Sequence, residues 1–260
     1  MKIRIEDLHF SYRRREVLSG INLEVPSGSL CALMGANGAG KTTLLKSING
    51  ILKPHSGRVF ADDMDVLSLN ARQRARFIGY VPQNAQAGDS RLNVMETVLS
   101  GRVPHMRGKL QARDQEIAEQ AVEEMALNAY ALRPLNQLSG GERQRVFIAR
   151  AIAQQPKIML LDEPTNNLDM HFQQDVMERM HHMSANQGMT IITILHDLNL
   201  SIAYADQVVL LKNGTIYAAD TPGKLLDRQH VLDIFNVEMD FANLNGVSYA
   251  VPHRREWKDE

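Results

Sequence analysis

The run Gly35-Ala36-Asn37-Gly38-Ala39-Gly40-Lys41-Thr42 fits the pattern G-x-x-x-x-G-K-[ST], in which each part has a task in holding a phosphate chain. Glycines open backbone conformations closed to other residues, so peptide N–H groups can approach phosphate oxygens. A helix starting at the end of the run aims its positive dipole end at the same oxygens. The Lys41 ammonium adds a full charge for β- and γ-phosphates, the Thr42 hydroxyl is a ligand for Mg²⁺, and Thr43 completes the binding set. A second group follows at Asp162-Glu163, which ends the apolar run Ile158-Met159-Leu160-Leu161. Ligands of open α/β sheets collect at the C-terminal ends of strands. Neighbouring strand residues face opposite sides, so the two acids are expected to divide the work: Asp162 for Mg²⁺ through water, Glu163 for polarising an attacking water.

Leu138-Ser139-Gly140-Gly141-Glu142-Arg143-Gln144-Arg145 reads as a helix start with Ser139 as N-cap and Glu142 closing a capping box. Its glycines leave amides open, which makes a second anion site. A chain with one complete phosphate loop has no need of that site unless it serves a nucleotide held by a second copy. With the phosphate loop, these residues resemble the ATP-binding cassette (ABC) family, over about residues 1–225. The resemblance implies a head-to-tail homodimer with two ATP molecules between phosphate loop and opposing signature helix. Ser139, Gly140, Gly141 and Glu142 would then bind ATP in trans.

Other positions match the family pattern one by one. Tyr12 stands where an aromatic stacks on adenine. Gln83, after Ile78-Gly79-Tyr80-Val81-Pro82, matches the glutamine that reaches Mg²⁺ and the attacking water. Asn167-Leu168-Asp169 aligns with the loop crossing the dimer interface, although Asn166-Asn167 departs from the Ser-Ala pair common in importers. His196 matches the switch histidine at the γ-phosphate. The resemblance therefore implies an ATPase in which Lys41, Gln83, Glu163 and His196 serve in-line attack of water, with charge spread over phosphate oxygens that these groups, Mg²⁺ and the partner's signature helix stabilise.

These residues need a scaffold. Leu30–Met34, Ile158–Leu161 and Thr190–Leu195 are nearly all apolar, the signature of strands covered on both faces of a parallel sheet. Ile3-Arg4-Ile5, His9–Tyr12 and Ile21–Val25 alternate instead, as half-buried antiparallel strands do. Beyond Gln83 the period becomes helical, with Ile117, Ala121, Val122, Met125 and Ala126 on one face. The expected fold is α/β, a P-loop NTPase core with an N-terminal antiparallel β subdomain and an inserted α-helical subdomain. Residues 1–82 and 155–225 form the core, 83–154 the helical subdomain with the signature, and 226–260 a C-terminal extension of two short helices and strand-like residues to Val251.

The composition is that of a globular chain: 260 residues, 29 Lys plus Arg against 30 Asp plus Glu, and a net charge of -1. Such a balance removes the basic excess that nucleic-acid binding usually needs, so no nucleic-acid partner is expected. No run approaches the roughly 20 apolar residues of a membrane span, and the N-terminus lacks a signal-peptide pattern. Cys31 falls in a buried strand and reads as packing. Arg13-Arg14-Arg15 reads as a hairpin turn and Arg72, Arg74 and Arg76 as exposed surface. His181 and His182 diverge on the helix expected from Met170 to Asn186, so they do not chelate from one face. The segment Leu92–His105, with Gly101-Arg102-x-Pro104-His105, and Leu195–Asn199 look like the importer branch serving iron-siderophore, haem, vitamin B12 and related chelates. That resemblance implies two separate transmembrane permease subunits docked on the Leu92–His105 segment. It also implies a substrate-binding protein acting indirectly, and a peripheral position on the cytoplasmic face of the inner membrane. The competing class is a soluble cassette ATPase of DNA maintenance or translation. Against it stand the absence of an inserted coiled coil and the single cassette.

Overall fold

Alternating apolar residues build the first hairpin: β1 (Ile3–Tyr12) and β2 (Arg15–Val25) pair antiparallel from Ile3 opposite Val25 to Tyr12 opposite Arg15. Arg13, at φ 54°, makes the turn between them. The structure, a computed structural model, describes residues 1–83, 92–106, 108–166, 168–244 and 246–253. The chain continues through β3 (Leu30–Met34), α1 (Lys41–Ile48), β4 (Ser56–Ala61), β5 (Met64–Asp65), α2 (Ala71–Arg74) and β6 (Ile78–Val81). Three helices follow, α3 (Val94–Leu99), α4 (Ala112–Glu124) and α5 (Gly140–Ala153). Then come β7 (Ile158–Leu161), α6 (Met170–Gln187), β8 (Thr190–Ile194), α7 (Leu198–Tyr204), β9 (Gln207–Lys212) and β10 (Thr215–Asp220). The chain ends with α8 (Pro222–Leu225), α9 (Arg228–Phe235), β11 (Met239–Leu244) and β12 (Val247–Pro252).

The main sheet has the order β10-β9-β3-β8-β7-β6, parallel except for β10 against β9. β3, β8 and β7 lie at its centre with every residue buried, as their apolar runs require. Alternation along each strand splits the core in two. Leu30, Ala32, Met34, Met159, Leu161 and Ile191 pack with the helical side and α6. Cys31, Leu33, Ile158, Leu160, Ile192 and Ile194 pack instead with α1 and the antiparallel sheet β2-β1-β4-β5. Leu44, Leu45 and Ile48 of α1 are almost fully buried there, each contributing about 1.5–3 kcal/mol by transfer, and this fixes the helix that starts at Lys41. Burial, with the Asp206 charge adding to it, pushes the Cys31 thiol up to about 12, so it stays protonated as packing.

Two expectations need correction, and one surface segment proves to be braced from within. Ala126 is not on the buried face of α4: the helix ends at Glu124, and Ala126, exposed at φ 51°, turns the chain so that Leu127 enters the core instead. Arg72 and Arg76 are exposed as expected and donate to the Pro104 carbonyl at 3.3 and 3.2 Å, and Arg72 also to Met106, whereas Arg74 is half-buried and donates to the Leu69 and Gly50 carbonyls. The Gly101–His105 run is internal bracing as much as surface. A Cβ on Gly101 would lie 2.2 Å from the Arg150 carbonyl oxygen. Arg102, 5% exposed, donates to Asp114 (3.0 Å), the Ala153 carbonyl (2.7 Å) and Gln155 (3.1 Å). His105 Nε2 is 2.9 Å from the Gln154 carbonyl. Within this run Val103, 59% exposed, is the apolar side chain left facing outward.

Candidate active site

The phosphate loop spans from β3 to α1, and close packing explains two of its three glycines, Gly35 and Gly40. A Cβ on Gly35 (φ 151°) would meet the Leu211 carbonyl oxygen at 2.3 Å, and one on Gly40 (φ 106°) the Leu18 side chain at 2.9 Å. Lys41 Nζ donates to the Gly35 and Ala36 carbonyls at 2.7 and 3.0 Å. Burial lowers its pKa, while the Glu163 and Asp162 charges work to keep its proton. Tyr12, at the turn end of the β1–β2 hairpin and packed edge-on against Phe10 at 4.8 Å, lines one cleft of about 400 Å³ with Asn37, Gly38, Lys41, Thr43 and Glu163.

Asp162 is 2% exposed and has two hydroxyl donors, Thr42 at 2.9 Å and Tyr80 at 3.3 Å. Burial pushes its carboxyl up; those two hydrogen bonds pull it down, and the neighbouring Glu163 charge pushes it up again. The Tyr80 phenol is pushed up by burial and then by Asp162. Tyr80 was not singled out by motif reading. Its signal is a polar-tipped aromatic in β6, paired opposite Leu160 two residues before the acid.

The division between the acids has a different cause from the one expected. β7 ends at Leu161, so neither acid is in the strand, and Glu163 turns away because its backbone takes φ 53°. Its carboxylate gathers three partners. His196 Nε2 lies 2.8 Å from Oε1, while Oε2 accepts from Gln83 Nε2 at 2.5 Å and from Asn166 Nδ2. His196 follows β8 after the single residue Leu195, and Asp197 fixes its loop by capping α7 through the Asn199 and Leu200 amides. The C-terminal hairpin braces the same loop: Asn199 donates to the Ala250 carbonyl at 3.2 Å and accepts from its N–H at 2.8 Å. A cavity of about 370 Å³ lies between His196, Phe235, Met239 and Pro252.

The signature residues lie at the start of α5 and do not line the phosphate cleft. Ser139 and Glu142 form the expected capping box, Glu142 N–H to Ser139 Oγ at 3.2 Å and Ser139 N–H to Glu142 Oε2 at 2.7 Å. The Ser139 amide holds the Glu142 carboxyl below the usual range, against some loss from burial. Around Gly140 a Cβ would meet nothing within 4 Å, while one on Gly141 would meet Leu168 at 2.9 Å. Asp169 caps α6 through the Phe172 amide at 3.0 Å. Asn167 lies outside the described residues.

Oxygen donors from Thr42 and the buried Asp162 carboxylate, beside a glycine loop with a lysine, are the hard set that suits Mg²⁺ on a phosphate chain. Comparison with known proteins agrees with this chemistry. Residues 18–166 match the family described as ABC transporter. An uncharacterised ABC transporter ATP-binding protein of Methanocaldococcus jannaschii is 40% identical, covering 97% of this chain and 98% of its own length. A petrobactin import ATP-binding protein of Bacillus anthracis is 36% identical, over 95% and 91%. A hemin import ATP-binding protein of Pseudomonas fluorescens is 37% identical, over 91% and 93%. Among solved structures, an inward-facing transporter assigned to the metal-chelate ABC type superposes with a TM-score of 0.83 at 29% identity, over 97% and 98%. A dimeric post-hydrolysis cassette bound to ADP and Pi gives 0.76 at 27%, over 85% and 98%.

Proposed function

Because this chain belongs to the ABC transporter family and is an ABC ATPase, we propose that it is the ATP-hydrolysing subunit of a metal-chelate importer, iron-siderophore first among its cargoes. It acts as a homodimer on the cytoplasmic face of the inner membrane, docked to two separate permease subunits that receive cargo from a binding protein. The observation that carries the hydrolytic assignment is the convergence of His196, Gln83 and Asn166 on Glu163, beside an Asp162 bonded to Thr42 of the phosphate loop. The importer assignment is supported by the petrobactin and hemin relatives and by the metal-chelate transporter. Among the described residues no helix is long and apolar enough to cross a membrane, consistent with a pore made by other subunits.

In this reading Tyr12 stacks on adenine and the amides of residues 35–43 hold the phosphates with Lys41. Thr42, Asp162 and Gln83 hold Mg²⁺, which when bound supplies charge neutralisation on the phosphate oxygens. Glu163 takes up a proton from the attacking water, and His196 donates toward the γ-phosphate. Ser139, the open Gly140 and Gly141 amides and Glu142 of a second copy close the site in trans, with Asn167 and Asp169 in the loop between copies. Residues 1–82 with 155–225 serve as the catalytic core, 83–154 as the lever and 226–260 as the extension.

Co-expression with the two membrane subunits in vesicles tests it. ATP-driven uptake of a ferric siderophore is expected; preferential uptake of haem, vitamin B12 or molybdate would reassign the cargo. A chain that binds no membrane subunits but whose ATPase responds to DNA or ribosomes would belong to the soluble class instead, which none of these relatives' names supports.

A further inference from the structure

The pair Asn166-Asn167 stands where Ser-Ala is common in importers, and the first of the two asparagines has a partner in the site. Glu163, Pro164, Thr165 and Asn166 form a turn closed by the Asn166 N–H on the Glu163 carbonyl at 3.2 Å. The loop beyond is held by two donors to the Thr165 carbonyl, the Leu168 N–H at 3.4 Å and the Gln173 side-chain amide at 3.3 Å. The turn brings the Asn166 amide back onto Glu163 Oε2, where it shares the oxygen with Gln83. Asn166 itself is exposed, so core packing does not account for its side chain.

A carboxylate offers about four acceptor positions. Two on Oε2 are taken by the amides of Gln83 and Asn166, and one on Oε1 by His196. In the hydrolytic reading proposed above, on which this inference rests, Gln83 and His196 have other duties once ATP is bound, and Asn166 has none. It lies on the same hydrogen-bonded turn as Glu163. We infer that Asn166 is a positioning residue for the reaction, whose amide pins Oε2 of Glu163 and leaves Oε1 to face the attacking water. An amide suits the task because it donates without adding charge. A cation here would hold the carboxylate more firmly but draw on the negative charge that the base needs.

Steady-state ATP hydrolysis by the full chain tests the role in two variants. Asn166→Asp keeps the size and turn-forming ability of the side chain but removes the donor and sets a like charge beside Glu163. Asn166→Gln keeps the donor one methylene further out. A misplacement of about 1 Å can cost roughly a hundredfold, so Asn166→Asp is expected to lower kcat at least about tenfold with KM for ATP within about twofold. Asn166→Gln should retain kcat within about threefold, and both variants should unfold at the parent temperature. Parent-like kcat in the Asp variant, a Gln variant as slow as Asp, or a loss expressed in KM would overturn the assignment. Glu163→Gln, assayed alongside, separates the two readings. If it is inactive and Asn166→Asp is normal, only the role of Asn166 fails. If Glu163→Gln turns over normally, the base is elsewhere and the role of Asn166 falls with it.

Discussion

The Thr42 hydroxyl donates to Asp162 Oδ1 at 2.9 Å, joining the phosphate loop to the end of β7 across 120 positions of the chain. That bond places two oxygen ligands side by side before any cation arrives. Asp162→Asn removes the charge while keeping the shape, and hydrogen bonds to charged groups are worth about 1.5–3 kcal/mol. Affinity for ATP with Mg²⁺ should therefore fall about 10- to 100-fold, and affinity for ATP in EDTA much less. Titration with a fluorescent ATP analogue, with and without Mg²⁺, measures both; an equal loss in the two would refute a metal role for Asp162.

Glu163 is the only acid in the site held by both Gln83 and His196 among the described residues, so its loss should separate binding from chemistry. A general base typically contributes about 10²–10⁴ in rate. Glu163→Gln is expected to lose activity in that range while retaining ATP, and to accumulate as an ATP-bound dimer. Size-exclusion chromatography with ATP reads the dimer, and phosphate release the rate. A monomeric variant that hydrolyses at the parent rate is the opposite result.

Residues whose roles are local were legible in the sequence, and those whose roles depend on long-range pairing were less so. The phosphate loop and the Ser139–Glu142 capping box are contiguous, and their backbone demands appear in the residue types themselves. The buried runs of β3, β7 and β8 announced a sheet centre because apolar side chains on both faces leave no alternation. Tyr80 was missed because its role exists only once β6 lies beside β7. The role of Asn166 depends on the positive φ of Glu163, which no composition reveals. Arg102 reads as surface in a chain with 29 basic residues, and only the approach of α4 and α5 turns it inward.

The approach of Gly101 to α5 gives a stability prediction in a segment otherwise read as a docking surface. An added Cβ would lie 2.2 Å from the Arg150 carbonyl oxygen, which is backbone and cannot swing aside. Overpacking of this kind costs about 1–3 kcal/mol. Gly101→Ala should lower stability by that amount in urea unfolding, whereas Val103→Ala, at an exposed position in the same run, should leave it nearly unchanged. Equal effects from the two would mean that the segment yields freely.

The Arg102–Asp114 pair supplies a pH dependence of known sign. Hydrogen bonds from the Arg102 guanidinium first, and then from the Gln111 amide, hold the Asp114 carboxyl below the ordinary aspartate range, against the opposing effect of burial. A carboxyl whose pKa is lower folded than unfolded binds fewer protons in the native state. Its stabilisation is complete above the unfolded value of about 3.9 and is lost as pH falls through the depressed folded value. Asp114→Asn cannot titrate there and leaves Arg102 without its counter-charge. The parent should thus have the higher Tm near neutral pH, and the gap between the two should close in the acid range below about pH 4. Calorimetry across that range is the check. A gap that stays constant down to the most acid pH at which both fold would show that the carboxylate charge is not what holds Arg102, and that shape alone suffices.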